Sequence, residues 1–329
     1  MKKFTDIGQF RQVVREVRSH CDYIDRDENN DAIYRHTKPY PKLKFRGTVK
    51  SHGTNAGIVK YVDKYEFQSR ENELTLKDDN SGFMREMSQK KYQKLFDGIE
   101  FNTSCAIFGE WCGMGIQKSV AISQLPKMFI IFAVKIDDVY QDMNDYRHLK
   151  IEDELIYNVL QFPTFEIEID FNTPELIQNK LVELTNDVEK QCPIGNYFGV
   201  DGIGEGIVYE YVNGEERYIF KVKGELHAGK SKVKTLSTVD NVKMMKIKEI
   251  ADKVTPTWRL AQMVEKSCNL MNGGELNRSK LGEYIRLVIN DVIKEDLDIV
   301  TDAGLEMKDI NKCISDIARH YFFDQEILK

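Results

Sequence analysis

The sequence predicts an α+β protein, with an antiparallel-sheet domain over residues 1–237 followed by an all-helical C-terminal domain over 238–329. Three observations predict it. From Phe45 onward, short apolar runs alternate with Gly, Asn and Asp, the texture of strands and turns. After about residue 238 that texture stops. The roughly ninety residues that remain carry apolar side chains at helical spacing. Strands followed by helices are most simply two domains, as a chain of 329 residues also implies.

Residues 1–20 read as a helix, with Ile7, Phe10, Val13, Val14 and Val17 recurring at helical spacing. The polar run from Cys21 to Lys42 breaks the pattern and reads as loop with at most short strand pieces. Eight runs then read as strands: FRGTV, AGIVKYV, YEFQS, CAIFGEW, MFIIFAV, FEIEIDF, GIVYEYV and RYIFKV. Asn172-Thr173-Pro174 is a cap with proline in the first turn, opening a helix through Leu176, Ile177, Leu181, Leu184 and Val188. The domain boundary falls near Thr235 to Asp240. Four helical patterns follow: Met244 to Val254, Leu260 to Met271 ended by Asn272-Gly273-Gly274, Leu281 to Val292, and Ile310 to Tyr321.

Lys and Arg number 47 against 53 Asp and Glu, a formal net charge of −6, which excludes a protein that grips nucleic acid through bulk positive charge. The longest apolar run, Met128 to Val134, is far short of the ~20 residues a membrane helix needs. Lys2 and Lys3 precede a polar stretch with no apolar signal-peptide core. Six scattered cysteines form no CxxC pair and read as reduced thiols. A cytoplasmic protein with no membrane contact is expected.

The most informative stretch is Val49-Lys50-Ser51-His52-Gly53-Thr54-Asn55, in which a lysine at a strand end meets a tight glycine turn. Alone it reads as an exposed lysine before a turn, which is common. Phe132 alone reads as core, and Glu110 and Glu205 beside glycines as turn carboxylates. Gly202-Ile203-Gly204-Glu205-Gly206 imitates a phosphate loop, but a β-branched run follows it instead of a helix. Lys221, Lys223, Lys230, Lys232 and Lys234, five lysines in fourteen residues, read as a solvated ribbon or a local phosphate site. Asp78-Asp79 and Asp137-Asp138 read as surface pairs. His20, His36, His148, His227 and His320 form no usable arrangement.

What these residues share is their order. The chain resembles the covalent nucleotidyltransferases, and more closely the ATP-dependent RNA ligases of the phage T4 RNA ligase 2 family, whose nucleophile motif Lys-x-His-Gly-Thr-Asn matches Lys50 to Asn55. DNA ligases and capping enzymes usually have Lys-x-Asp-Gly there. The match continues through Ser69-Arg70, Phe108-Gly109-Glu110, the strand containing Phe132, Glu205-Gly206-Ile207-Val208 and Phe220-Lys221-Val222-Lys223. The run before Lys50, FRGTV, departs from the family in lacking an acidic residue.

The resemblance implies a nucleotidyltransferase fold and an enzyme that seals 3′-OH/5′-phosphate nicks, with duplex RNA as partner, through AMP carried on Lys50. ATP and Mg²⁺ or Mn²⁺ are the implied cofactors. Lys221 and Lys223 would neutralise the triphosphate and discourage a proton on the Lys50 amine, whose ordinary pKa is near 10.4. Glu110 would accept from the ribose hydroxyls, and Phe132 would stack on adenine. Arg70 would hold ribose or phosphate, Glu205 would bind the metal, and His52 and Asn55 would orient phosphates. A monomer is expected. The alternatives are a DNA ligase or capping-type enzyme, which would normally carry a β-barrel after the last lysine motif, and a non-catalytic RNA-binding homologue.

Asn213-Gly214 between GIVYEYV and RYIFKV signals a hairpin, so the strands bearing Glu205 and Lys221/Lys223 should pair antiparallel. An even-numbered loop would turn Glu205 away from both lysines, so an odd-numbered loop or a bulge is expected.

Overall fold

The structure is a computed structural model that describes residues 1–26, 30, 32–35, 39–214, 216–227, 238–269 and 280–327. Its strands and helices follow in chain order as β1 (Gly8–Gln9), α1 (Phe10–Asp22), β2 (Tyr23–Arg26), β3 (Ala32–Tyr34), β4 (Lys42–Val49), β5 (Gly53–Tyr61), β6 (Tyr65–Ser69) and α2 (Phe83–Met87). Then come β7 (Ser104–Cys112), β8 (Met128–Ile136), β9 (Val139–Tyr140), β10 (Ile156–Asn158), β11 (Thr164–Asp170), α3 (Gln178–Lys190), α4 (Pro193–Tyr197), β12 (Gly206–Asn213) and β13 (Glu216–Lys223). Five helices close the chain: α5 (Thr238–Val254), α6 (Thr257–Asn269), α7 (Leu281–Glu295), α8 (Leu297–Asp302) and α9 (Met307–Ile327).

The chain divides into two compact units, Met1–Val17 with Pro41–Thr235, and Arg18–Tyr40 with Leu236–Lys329. The first holds two sheets. One runs β1-β13-β12-β4-β11; the other runs β10-β8-β7-β5-β6 with β9 beside β8. All eight expected runs are strands, and their pairings are antiparallel, the parallel exceptions being the short β1 on β13 and β10 on β8. In the five-stranded sheet alternation assigns the faces: Phe45, Val49, Tyr209, Phe220 and Val222 are buried on one side, and Arg46, Thr48, Val208 and Lys221 take the other.

The second unit packs α5 to α9 around Ala251, Val254, Tyr284, Val288, Val292, Ile310, Ile314 and Phe322, all fully buried. The expected periodicities account for α5, α6, α7 and α9. The short α8 was not legible. Arg259 is locked inside this unit. Its Nε donates to Asp291 at 2.9 Å, and its Nη1 reaches Asp296 and the Val254 carbonyl.

Three local expectations are corrected. The first helix begins at Phe10, and Ile7 precedes the two-residue strand β1. After Thr173, whose side chain makes no capping bond, Pro174–Ile177 forms a 3₁₀ turn before α3. The β12–β13 hairpin pairs Asn213 with Glu216 and continues in unbroken register to Gly206 opposite Lys223. The connection is therefore even-numbered and has no bulge. The polar run of residues 21–42 holds the β2–β3 pair within the described residues. Lys230, Lys232, Lys234, the boundary at 235–237, His36 and Asn272-Gly273-Gly274 lie outside them.

Candidate functional site: a lysine at the mouth of a two-sheet cavity

A cavity of about 330 Å³ opens in the first unit, walled by both sheets. From the five-stranded sheet come Arg46, Thr48, Lys50, Val208, Glu210, Arg217, Ile219 and Lys221; from the other come Asn55, Glu110 and Phe132, with Arg70 just beyond the end of β6. Lys50 directly follows β4, and its backbone N–H donates to the Gly206 carbonyl at 2.8 Å, so the strand register fixes where its side chain starts.

Around Lys50 the charges interlock. Its Nζ lies 2.7 Å from Glu205 Oε2, which His52 Nδ1 also approaches at 2.9 Å, and Lys223 Nζ lies 2.7 Å from Glu205 Oε1. The Glu205 side chain is only 3 % exposed. Burial opposes its ionisation, but the bonds from His52 and Lys223 and the Lys50 charge prevail and hold the carboxyl far below the usual range. Lys221 is pushed down by burial and by the neighbouring charges of Lys50 and Lys223.

Glu205 therefore meets Lys223 as well as Lys50 in spite of the even-numbered hairpin. Strand alternation would point it away, because its carbonyl pairs with the Gly224 N–H at 3.1 Å and Gly224 is its partner in register. The chain escapes the alternation at Gly206, whose φ of +152° an L side chain rarely adopts. A Cβ there would meet the Val222 carbonyl oxygen at 2.1 Å. The glycine is what turns the carboxylate toward the cavity.

Glu110 accepts from the Gly53 N–H at 3.0 Å. Burial pushes its carboxyl up to about 7, partly offset by the charge of Lys50. Gly53 tolerates no Cβ, since the Trp111 carbonyl would lie 2.3 Å from it. Phe132 sits at a β-bulge, where Phe108 pairs with Ala133 and Gly109 with Ile131, and it lines the cavity on the face that Glu110 shares with its partner Ile130. Its ring centroid lies 5.0 Å from that of Phe4. Arg70 is half-exposed and paired with Asp6.

Of the residues to which the resemblance gave roles, Lys50, Asn55, Arg70, Glu110, Phe132 and Lys221 line one cavity, and His52 and Lys223 join Lys50 around Glu205. Sequence reasoning missed four groups. Phe4 enters the cavity from the N-terminal segment. Asn80 donates to Thr54 Oγ1 and the Asn55 carbonyl, both at 3.1 Å, and so holds the turn after Lys50. His227, read as having no arrangement, lies with its ring centroid 5.6 Å from that of His52. Glu210 and Arg217 were legible in principle, as charges at inward-facing positions of a two-residue hairpin. Asp79 accepts from the N–H groups of Met84 and Arg85 at the start of α2, and Asp137 from those of Asn102, Thr103 and Ser104.

A cavity walled by two sheets and lined by lysines, a buried carboxylate and an aromatic ring has the chemistry to hold phosphate esters. The chain belongs to the RNA ligase family, whose model matches residues 43–223, more than half its length. Comparison with curated protein sequences found no match. Among solved structures the chain is similar to a Naegleria gruberi RNA ligase solved with PPi, at 15 % identity and a TM-score of 0.45, covering 70 % of this chain and 58 % of that one. It is also similar to a variant of that enzyme with AMP and Mn, at 14 % identity and a TM-score of 0.47 over 69 % and 57 % of the two chains. This chain thus spans less than two thirds of the length of the solved relatives.

Proposed function

We propose that the protein is an ATP-dependent RNA ligase that carries AMP on Lys50. The observation that carries this reading is that Lys50, within reach of Glu205, lines the same cavity as Lys221, Glu110 and Phe132. An amine freed of its proton attacks the α-phosphorus of ATP. The N–P bond forms as the bond to the bridging oxygen breaks, and the electron pair leaves with pyrophosphate. The 5′-phosphate of RNA then takes the AMP, forming an anhydride and returning the lysine. Finally the 3′-hydroxyl attacks that 5′-phosphate and AMP departs with its bonding pair.

Glu205 engages the Lys50 amine at 2.7 Å, so attack requires the carboxylate to let go. Lys221 and Lys223 are placed to neutralise the phosphates, and His52 and Asn55 to orient them. Glu110 accepts from the ribose hydroxyls and Phe132 stacks on the base. Arg70, freed from Asp6, holds ribose or the incoming 5′-phosphate with its planar fork.

Glu205 and the Asn55 Oδ1, buried without a hydrogen-bond partner, are hard oxygen donors. They fit Mg²⁺ or Mn²⁺, which takes one or two protein oxygens beside phosphates and water. Among the described residues no three His, Cys, Asp or Glu side chains come together as a metal cage. Bound there, the ion supplies positive charge to the phosphates.

The substrate is a 3′-OH/5′-phosphate nick in duplex RNA. Residues 1–237 form the adenylate, residues 238–329 contact the duplex, and the chain acts as a monomer. Incubation with α-labelled ATP and Mg²⁺ tests the first step, with acid-labile label expected on the wild-type chain and none on Lys50→Ala. Label at the wild-type level on Lys50→Ala removes Lys50 as nucleophile. Sealing of nicked duplex RNA, compared with nicked DNA and single strands, tests the substrate.

A further inference from the structure

The stretch that carries Lys50 crosses from one sheet to the other. Lys50 follows β4, Ser51 and His52 make the crossing, and Gly53 opens β5. The Lys50 end is pinned by its N–H bond to the Gly206 carbonyl. At the other end β5 has a strand on one side only. β7 pairs with it from Gly53 onward, whereas β6 joins it from Ala56 to Lys60 and ends at Ser69, opposite Ala56. The edge of β5 before Ala56 therefore lacks a strand to meet its backbone groups.

A side chain takes the place of that strand. Asn80 Nδ2 donates to the Asn55 carbonyl and to Thr54 Oγ1, both at 3.1 Å, which uses both of its hydrogens. Asn80 Oδ1 lies 3.3 Å from the same threonine hydroxyl. The loop behind Asn80 is itself anchored. Asp79 accepts from the Asn80 N–H at 2.7 Å as well as from Met84 and Arg85 in α2. The Ser81 carbonyl accepts from Trp111 Nε1 at 3.2 Å and from Lys127 Nζ at 3.0 Å, and Phe83, Met87 and Trp111 are fully buried.

Alternation along β5 separates what Asn80 touches from what it controls. Thr54 lies opposite Trp111 and shares its face, where the threonine hydroxyl meets Asn80. Asn55 lies opposite Glu110 and shares its face, and both line the cavity. Asn80 therefore grips the strand from behind and by its edge, while Asn55 stands at its front.

We propose that Asn80 is a positioning residue for adenylation, holding the start of β5 so that Asn55 keeps its place relative to Lys50 and the phosphates of ATP. This rests on the cavity being the ATP site and on Asn55 orienting the phosphates there. Asn80 touches no reacting atom; it acts through the geometry it maintains. A displacement of about 1 Å in such a constellation lowers the rate by on the order of 100-fold. Glu110, Phe132 and Lys221 keep their places without Asn80, so the loss falls on kcat and kcat/KM together and leaves KM for ATP little changed.

The test measures kcat and KM for transfer of label from ATP to the full chain, in wild type, Asn80→Ala and Asn80→Asp, with melting curves to show that each folds. Aspartate keeps the size of asparagine and removes both N–H donors, so it serves where alanine unfolds the chain. Each folded variant should lose up to about 100-fold in kcat. An Asn55→Ala chain lacks the group that Asn80 positions, so adding Asn80→Ala to it should cost only a few-fold more, a non-additive pair. A merely structural Asn80 would lower the melting temperature and leave kcat of the folded chain intact. A folded Asn80→Asp chain with wild-type kcat overturns the assignment, and so does a double variant whose loss equals the product of the two single losses. A wild-type chain that takes no label overturns the adenylation reading, and the assignment with it.

Discussion

Substituting Gly206 by alanine isolates the device that aims Glu205. The added Cβ meets the Val222 carbonyl oxygen at 2.1 Å, and restoring an ordinary contact of 3.4 Å requires one of the two strands to retreat by about 1.3 Å. The φ of +152° adds backbone strain for any L side chain, of order 1–3 kcal/mol. The chain can relieve both by turning residue 206 back toward ordinary strand geometry, which swings Glu205 away from Lys50 and Lys223. A misplacement of about 1 Å in a catalytic constellation costs on the order of 100-fold in rate. The Gly206→Ala chain should therefore adenylate about 100-fold more slowly in a single-turnover assay with α-labelled ATP. Its melting temperature should also drop by a few degrees. A chain that melts normally and adenylates at the wild-type rate would refute the reasoning, since Glu205 would then not depend on the glycine.

Other perturbations probe separate parts of the molecule. Arg259→Met leaves Asp291 and Asp296 without the cation between them; both retain some solvent contact, so the loss should be near 3 kcal/mol, the low end for a broken buried pair, read from urea unfolding followed by the fluorescence of Trp258. Glu110, with its carboxyl raised from 4.5 to about 7, binds more protons folded than unfolded between those values, so its contribution to stability is complete below about pH 4.5 and lost as pH rises through 7. Glu110→Gln should flatten that decline in urea midpoints measured from pH 5 to 8, and an unchanged slope would count against it. Glu205, held low by its partners, acts in the opposite sense, and its contribution fades only as pH falls below the ordinary carboxylate range. Phe132→Ala should raise the KM for ATP by about 5- to 150-fold, the usual worth of a stacked base, and an unchanged KM would mean that the ring only packs against Phe4.

Much of the fold was legible because it is local. Every apolar run from FRGTV to RYIFKV became a strand, since alternation and turn residues act over a few neighbours. The helical patterns past residue 238 likewise became α5, α6, α7 and α9. Phe132 shows where that legibility ends. Its motif position was clear in the sequence, but within MFIIFAV nothing distinguishes it from its neighbours, and the face it takes follows from the register that sets Ile130 opposite Glu110. Glu210 and Arg217 were not singled out from sequence, because the importance of an inward face depends on what lies across from it.

The sequence by itself determined the class of fold, the order of the lysines and carboxylates, and the family to which they belong, because residue types and spacing are properties of the chain alone. The tertiary structure decided which of those residues meet. Parity along the hairpin turned Glu205 away from Lys223, and one residue, Gly206, turned it back. Direction along a strand is inherited from the neighbour before it, so a single dihedral outside the extended region, here at Gly206 where β12 begins, reverses what alternation dictates.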